Sequence, residues 1–375
     1  MTRWVRTRET LLDLVGSLAG CRALALDSES DSLHHHAEKV CLVQLTSDRG
    51  GPWLIDPLAV RDLSPLAPLV ADPAILKVFH GADYDVTTMK RDFGFSFDGV
   101  FDTMIAARFL GFTEIGLQAV ARKELGVELT KDSQKDDWSR RPLTPKQEAY
   151  ALADVEHLLP LQVRLSALLD ERGRLAWVEE ECRAVAALEP ARRGRDPEAY
   201  KRVKGLSRLP RRQQAVFLEL FQWREGMAEA SDIPAFKLIG SEALMALAQR
   251  LPRTPADLGE VKGLPARLRA RPEDMLEAVA RGLAVPESEL PRLEGARRPV
   301  VPEPVRRRID VLKAWRSGEA ARIALDVSVI LPQRLLEKVA EAAPRRLADL
   351  EAVPGLRRWR IDALGAGMLA ALSPA

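Results

Sequence analysis

Apolar positions in the first hundred residues come in short, closed runs, not at the three-to-four spacing of a surface helix. Ala23-Leu24-Ala25-Leu26, Val40-Cys41-Leu42-Val43, Trp53-Leu54-Ile55 and Ile75-Leu76-Lys77-Val78-Phe79 are such runs, and Val100-Phe101 is a shorter one ending at Asp102. The unbroken run Ala23–Leu26 predicts a strand buried on both faces of a sheet, and the other runs read as further short strands. Asp48, Gly50 and Gly51 separate the second run from the third, which predicts a hairpin. A helix is expected over about residues 63–71, and another opens at His80-Gly81-Ala82-Asp83-Tyr84-Asp85 and continues through Met89. From Thr144 to Glu171 the pattern predicts one long helix. Its start is marked by Thr144 as N-cap, Pro145 in the first position and Gln147 three residues after the cap. Strands first, then strand–helix alternation, predict a mixed α/β sheet.

The second half has helical periodicity and an internal repeat. Sliding the chain on itself by 92 residues without a gap pairs Trp223 with Trp315, Gly226 with Gly318 and Ala228 with Ala320. The same offset aligns Pro252-Arg253 with Pro344-Arg345, Ala256-Asp257-Leu258 with Ala348-Asp349-Leu350, and Gly263-Leu264 with Gly355-Leu356. Such agreement implies two tandem helical units. Linkers are expected at residues 189–207 and, with five prolines, 285–304. The expected domains are therefore 1–190, 208–285 and 305–375.

Composition excludes some classes. The 375 residues are 46% hydrophobic and 29% charged, which allows real cores. No apolar run is long enough for a transmembrane helix, and the N-terminus does not read as a signal peptide. Cys21, Cys41 and Cys182 are too widely spaced for a disulfide framework or a zinc knuckle. A cytoplasmic, monomeric protein with no membrane partner is the expectation. The net charge of +2 is unevenly distributed: residues 1–190 carry 22 basic and 30 acidic side chains, and residues 191–375 carry 34 and 24. An acidic first half beside a basic second half suits a carboxylate site joined to a polyanion-binding region.

The acidic half holds the candidate chemistry. Asp27 and Glu29 lie two apart on the first strand and so point to one side. Two adjacent carboxylates repel, and a divalent cation is the usual compensation. Asp-x-Glu alone is weak, since it recurs at Asp154–Glu156 and Asp196–Glu198. It gains weight from Asp85 near a helix start after a later strand, and from Tyr150 and Asp154, four apart on one helical face. A polar, basic segment containing Lys131, Gln134, Trp138 and Arg141 precedes that helix.

This ordered set resembles the ribonuclease D branch of the DEDD 3′→5′ exonucleases. The pattern is Asp-x-Glu at Asp27 and Glu29, a later Asp at Asp85, and Tyr-x-x-x-Asp at Tyr150 and Asp154. The tandem repeat resembles HRDC domains, so the resemblance covers nearly the whole chain. Ala149 stands where another branch carries His, which favours the tyrosine type. Ser30 stands where ribonuclease D often has an aromatic residue.

The resemblance implies an RNase H-like mixed-sheet exonuclease domain followed by two all-α HRDC-like domains. It implies two divalent ions, Mg²⁺ or Mn²⁺, held by Asp27, Glu29, Asp85 and Asp154, with Tyr150 orienting the attacking water. The implied activity is hydrolysis of RNA 3′ ends, such as those of tRNA precursors, to nucleoside 5′-monophosphates. DNA ends are an alternative substrate, and an inert nucleic-acid-binding scaffold is another reading. His80, Lys131, Gln134 and Arg141 are expected near the nucleic acid. Arg192, Arg193, Arg195, Lys201, Arg202, Lys204, Arg211, Arg212, Arg306, Arg307 and Arg308 are further phosphate candidates. His34, His35 and His36 read as loop residues, Trp138 as a packing anchor, and Asp102 as a structural or capping residue.

Overall fold

The computed structural model describes residues 3–130, 132–192, 196–270, 272–293 and 301–373. The chain divides into two compact units, one of residues 1–30, 40–191 and 300–375, the other of residues 31–39 and 192–299.

In the first unit, six described strands form one sheet: β1 (Arg3–Val5), β2 (Ala23–Ser30), β3 (Val40–Ser47), β4 (Gly50–Ile55), β5 (Leu76–Phe79) and β6 (Val100–Asp102). Their order is β1-β4-β3-β2-β5-β6. The expected hairpin is the antiparallel pair β3 and β4. β2 lies inside the sheet, antiparallel to β3 and parallel to β5. Its register sets Asp27 opposite Gln44 and Glu29 opposite Leu42, and a bulge follows Glu29. Every residue of β3 is buried, as its unbroken apolar run requires. β1 and the helix α1 (Arg8–Ser17) were not among the elements expected from sequence; α1 starts with a Thr7–Thr10 capping box.

Short helices α2 (Pro57–Val60) and α3 (Ala67–Ala71) follow β4, the latter preceded by a tight 3₁₀ turn at Ser64–Leu66. Then come α4 (Ala82–Phe93), α5 (Thr103–Phe109) and α6 (Leu117–Leu125). The expected helix from Thr144 to Glu171 is two helices, α7 (Pro145–Glu156) and α8 (Leu158–Glu171), which meet at His157 (φ −102°, ψ −3°). The start is as expected: the Thr144 hydroxyl accepts from Gln147 N at 3.2 Å, and Gln147 Oε1 accepts from Thr144 N at 3.0 Å. α7 packs against β2, β3 and β4. α9 (Leu175–Ala186) then lies against β6.

The two repeats occupy equivalent elements. α11 (Ala235–Leu238) and α12 (Ser241–Arg250) lie 92 residues before α16 (Val327–Ile330) and α17 (Gln333–Ala342). Their long first helices are α10 (Arg211–Ala230) and α15 (Glu303–Ile323), while α13 (Ala266–Arg269) and α14 (Glu273–Ala284) follow α12, and α18 (Leu347–Glu351) follows α17. Leu251 and Ala343 end α12 and α17 in the same left-handed conformation, at φ 52° and 48°. Asp257 then accepts from Arg253 N at 2.9 Å, and Asp349 from Arg345 N at 2.9 Å. Local sequence thus dictates one turn twice.

The second copy belongs to the compact unit of the sheet. Trp359, on the last helix α19 (Arg358–Leu372), stacks on Trp177 of α9 at 4.7 Å between ring centroids. Its indole Nε1 donates to Glu181 Oε1 at 2.8 Å. The first copy has its own core around Phe217, Leu220, Leu244 and Val261. The loop 31–39 belongs to that second unit. Within it, His35 Nδ1 lies 2.7 Å from Asp232 Oδ2, and His36 N donates to Asp232 Oδ1 at 3.1 Å. These histidines read as plain loop residues in sequence; the structure gives them a partner 196–197 positions away.

Candidate active site

The site forms where β2, α4 and α7 meet. β2 ends in the expected carboxylates, and α7 carries Asp154 above the same face. One carboxylate oxygen from each of Asp27, Glu29 and Asp154 lies within 4.8 Å of the other two. Asp85 stands outside this tight trio, buried in the first turn of α4. Gly81, at φ 85°, turns the chain from β5 into α4. Asp102 fixes that turn: its carboxylate accepts from Gly81 N at 3.0 Å and Ala82 N at 2.8 Å, and it also caps α5 through Met104 N at 2.8 Å. The capping role expected of Asp102 therefore serves two helix starts.

Ser28, between the two strand carboxylates, donates its hydroxyl to Asp85 Oδ1 at 2.5 Å. The Tyr150 phenol lies one turn before Asp154 on α7, near enough for each group to shift the other's pKa. Trp138 is buried behind it, its ring 6.1 Å from that of Tyr150, as a packing anchor would be.

The electrostatics are those of crowded like charges. Burial first, then Asp85, Asp154 and Glu29, push the Asp27 carboxyl well above the usual range. Burial, then Asp154, Asp85 and Asp136, do the same to Glu29. Burial lifts Asp85 to about 7 against the Ser28 hydroxyl bond, and lifts Asp154 to about 7 against the lowering influence of the Tyr150 phenol. Burial, and then Asp154, Glu29 and Asp27, hold the Tyr150 phenol far above its ordinary value, so it remains a proton donor in hydrogen bonds at neutral pH. The charged groups acting on Asp27 are all carboxylates. A hard, oxygen-seeking divalent cation fits such a donor set, because it supplies the missing positive charge.

Other expected contacts fare differently. His80 is half-buried, its Nδ1 2.9 Å from Thr103 Oγ1, and burial lowers its pKa, which favours the neutral imidazole. Arg141 was expected to face phosphate, but its guanidinium faces inward. It makes a two-pronged pair with Asp56 at 2.7 and 2.9 Å and donates to Trp138 O, Arg140 O and Cys41 O. That leaves it no free N–H for a phosphate. Gln134 is exposed ahead of α7. Lys131, Arg193 and Arg195 lie outside the described residues. Arg211 and Arg212 donate to the carbonyls of Leu290 and Val285, and Arg308 to that of Ala340, so these three help hold their helices in place. Sequence reasoning missed Ser28, whose bond to Asp85 depends on which helix covers that face of the strand.

A mixed sheet carrying converging carboxylates, with two helical repeats after it, is the architecture of a metal-dependent nuclease followed by helical appendages. The sequence matches the family described as 3′-5′ exonuclease over residues 2–170 and the HRDC domain over residues 213–279 and 306–372. It is 32% identical to a ribonuclease D of Pseudomonas paraeruginosa, over 100% of this chain and 98% of that one. The fold is similar to that of Escherichia coli RNase D, with a TM-score of 0.72 at 24% identity, covering 99% and 98% of the two chains. It is also similar to the catalytic core of Trypanosoma brucei RRP6, with a TM-score of 0.67 at 28% identity, over 76% of this chain and 81% of that one. The chain belongs to the ribonuclease D family, and its activity is that of a 3′→5′ exoribonuclease that depends on divalent metal. Among the described residues, no helix is long and apolar enough to cross a membrane.

Proposed function

We propose that this exoribonuclease trims the 3′ ends of structured RNA, such as tRNA precursors, releasing nucleoside 5′-monophosphates with two ions of Mg²⁺ or Mn²⁺. The observation that carries the reading is the convergence of Asp27, Glu29 and Asp154 within 4.8 Å beside the Tyr150 phenol. Asp27, Glu29 and Asp154 would hold the metal, with Asp85 beside them as a further carboxylate ligand. Ions held there supply charge to the phosphate oxygens and lower the pKa of water.

The remaining work falls to side chains of the chain itself. The Tyr150 O–H, protonated at neutral pH, orients the attacking water by hydrogen bonding from its place one turn before Asp154 on α7. Glu29 accepts from the terminal 3′-hydroxyl, which confines attack to an end. Ser28 holds the Asp85 carboxylate in place. The 2′-hydroxyl distinguishes RNA from DNA ends. The test is a competition between matched RNA and DNA 3′ overhangs on a tRNA-like stem, with the products separated by chromatography. Preferential release of ribonucleoside 5′-monophosphates supports the reading; equal or faster DNA digestion sinks it.

A further inference from the structure

We propose that Gln44 is a positioning residue for Asp27, its amide Nε2–H donating to the Asp27 carboxylate when the site takes up divalent metal. This inference rests on the metal site proposed above.

Two independent observations lead to it. The first is register. Gln44 on β3 is paired directly with Asp27 on β2. Directly opposed residues of an antiparallel pair project from the same face, with Cβ atoms about 5 Å apart. Gln44 therefore shares the face on which Asp27 meets α7, the helix that carries Tyr150 and Asp154. Its neighbour on the other side is Leu54 of β4, which packs with Trp138, Ala151 and Tyr150.

The second observation is an unsatisfied amide. Gln44 is fully buried, and neither its Nε2 nor its Oε1 has a hydrogen-bond partner among the described residues. Its nearest neighbours along β3, Leu42, Val43 and Leu45, are apolar and buried. A buried carboxamide with both ends unpaired destabilises the fold, and an apolar side chain of the same length would not. Its place beside the most crowded carboxylate of the site accounts for a polar group there.

Chemistry selects an amide at this position. Asp27 is surrounded by Asp85, Asp154 and Glu29. A lysine or arginine at 44 would neutralise Asp27 and compete with the cation, and a glutamate would add to the repulsion. The carboxamide is a neutral donor. It stabilises and aims an ionised carboxylate without taking the place of the metal, as outer-shell partners of metal ligands do. Turning Nε2 toward Asp27 turns Oε1 away from it.

The test compares the wild-type chain with Gln44→Met, which keeps length and removes the amide. Two readouts are measured: thermal unfolding of the metal-free protein and Mn²⁺ affinity by calorimetry. We expect opposite signs. Metal-free Gln44→Met unfolds at the same or a higher temperature than wild type, yet binds Mn²⁺ about 10- to 100-fold more weakly. Its kcat on RNA falls while KM is unchanged. A structural role alone would change stability and leave Mn²⁺ affinity as it was, and that result overturns the assignment. Should Gln44→Met not fold, Gln44→Asn keeps the amide, withdraws it by one methylene, and is held to the same weakening of Mn²⁺ binding. Wild type that takes up no Mn²⁺ overturns the metal reading, and this proposal with it. Wild type and Gln44→Met binding equally well overturns the Gln44 proposal alone.

Discussion

The Ser28 hydroxyl donates to Asp85 Oδ1 at 2.5 Å, joining the strand of the Asp-x-Glu pair to the helix that carries the third aspartate. Ser28 is the unnamed residue of that pair, facing away from the side on which Asp27 and Glu29 project. Its bond is the largest influence opposing burial at Asp85, whose carboxyl already stands at about 7. Ser28→Ala removes it, so Asp85 ionises only at higher pH. Activity at pH 7 should fall by roughly tenfold and recover toward alkaline pH. A pH–rate profile identical to wild type would contradict this account of Ser28.

The carboxylate cluster makes the metal-free fold pH-dependent in a defined direction. Asp85 and Asp154 keep their protons to about pH 7 in the folded chain, whereas a free aspartate ionises near 4. Between those values the folded state binds more protons than the unfolded state, so stability falls as pH rises through 7. A bound divalent cation removes that penalty by favouring the ionised forms. Excess Mn²⁺ should therefore raise the unfolding temperature more at pH 8 than at pH 5. Equal shifts at both pH values would show that the cation binds elsewhere.

Tyr150 acts as a donor. Its phenol remains protonated well beyond neutral pH, so it orients water and does not abstract a proton. Tyr150→Phe should lower single-turnover cleavage by about 100-fold with little change in RNA affinity. An unchanged rate would remove Tyr150 from the mechanism.

Arg141 separates a structural role from a phosphate-binding role. Its pair with the buried Asp56 ties the segment before α7 to the start of α2. Arg141→Ala leaves Asp56 without its cation, and urea unfolding should show a loss of about 3–5 kcal/mol. The slope of RNA affinity against salt should stay as in wild type, since no phosphate contact is lost. A shallower slope with unchanged stability would return Arg141 to the nucleic-acid surface.

The particular elements show which kinds of information the chain displays locally. The strands around Asp27 and the start of α7 were legible because a buried run and a capping box are written in consecutive residues. The repeat was legible because Trp223 and Trp315, like Asp257 and Asp349, recur at one fixed offset in equivalent elements. The break at His157 was not legible, because apolar positions continue across it on both α7 and α8. β1 is a three-residue strand that exists by pairing with β4, so its own residues carry little signal. Arg141 sits in a basic segment that reads as surface; only Asp56, 85 positions away, draws it inward. Ser28 and Gln44 depend on register and on which helix covers which face, which no local pattern records.

The central claim is that the carboxylates gathered around Asp27 hold the divalent metal for phosphodiester hydrolysis. The most direct test is cleavage of a 3′-overhang RNA in Mg²⁺ or Mn²⁺ by wild type and by Asp27→Asn, with the fold of both checked by circular dichroism. The account predicts a folded variant slowed at least about a thousandfold. Wild-type turnover by a correctly folded Asp27→Asn would contradict it.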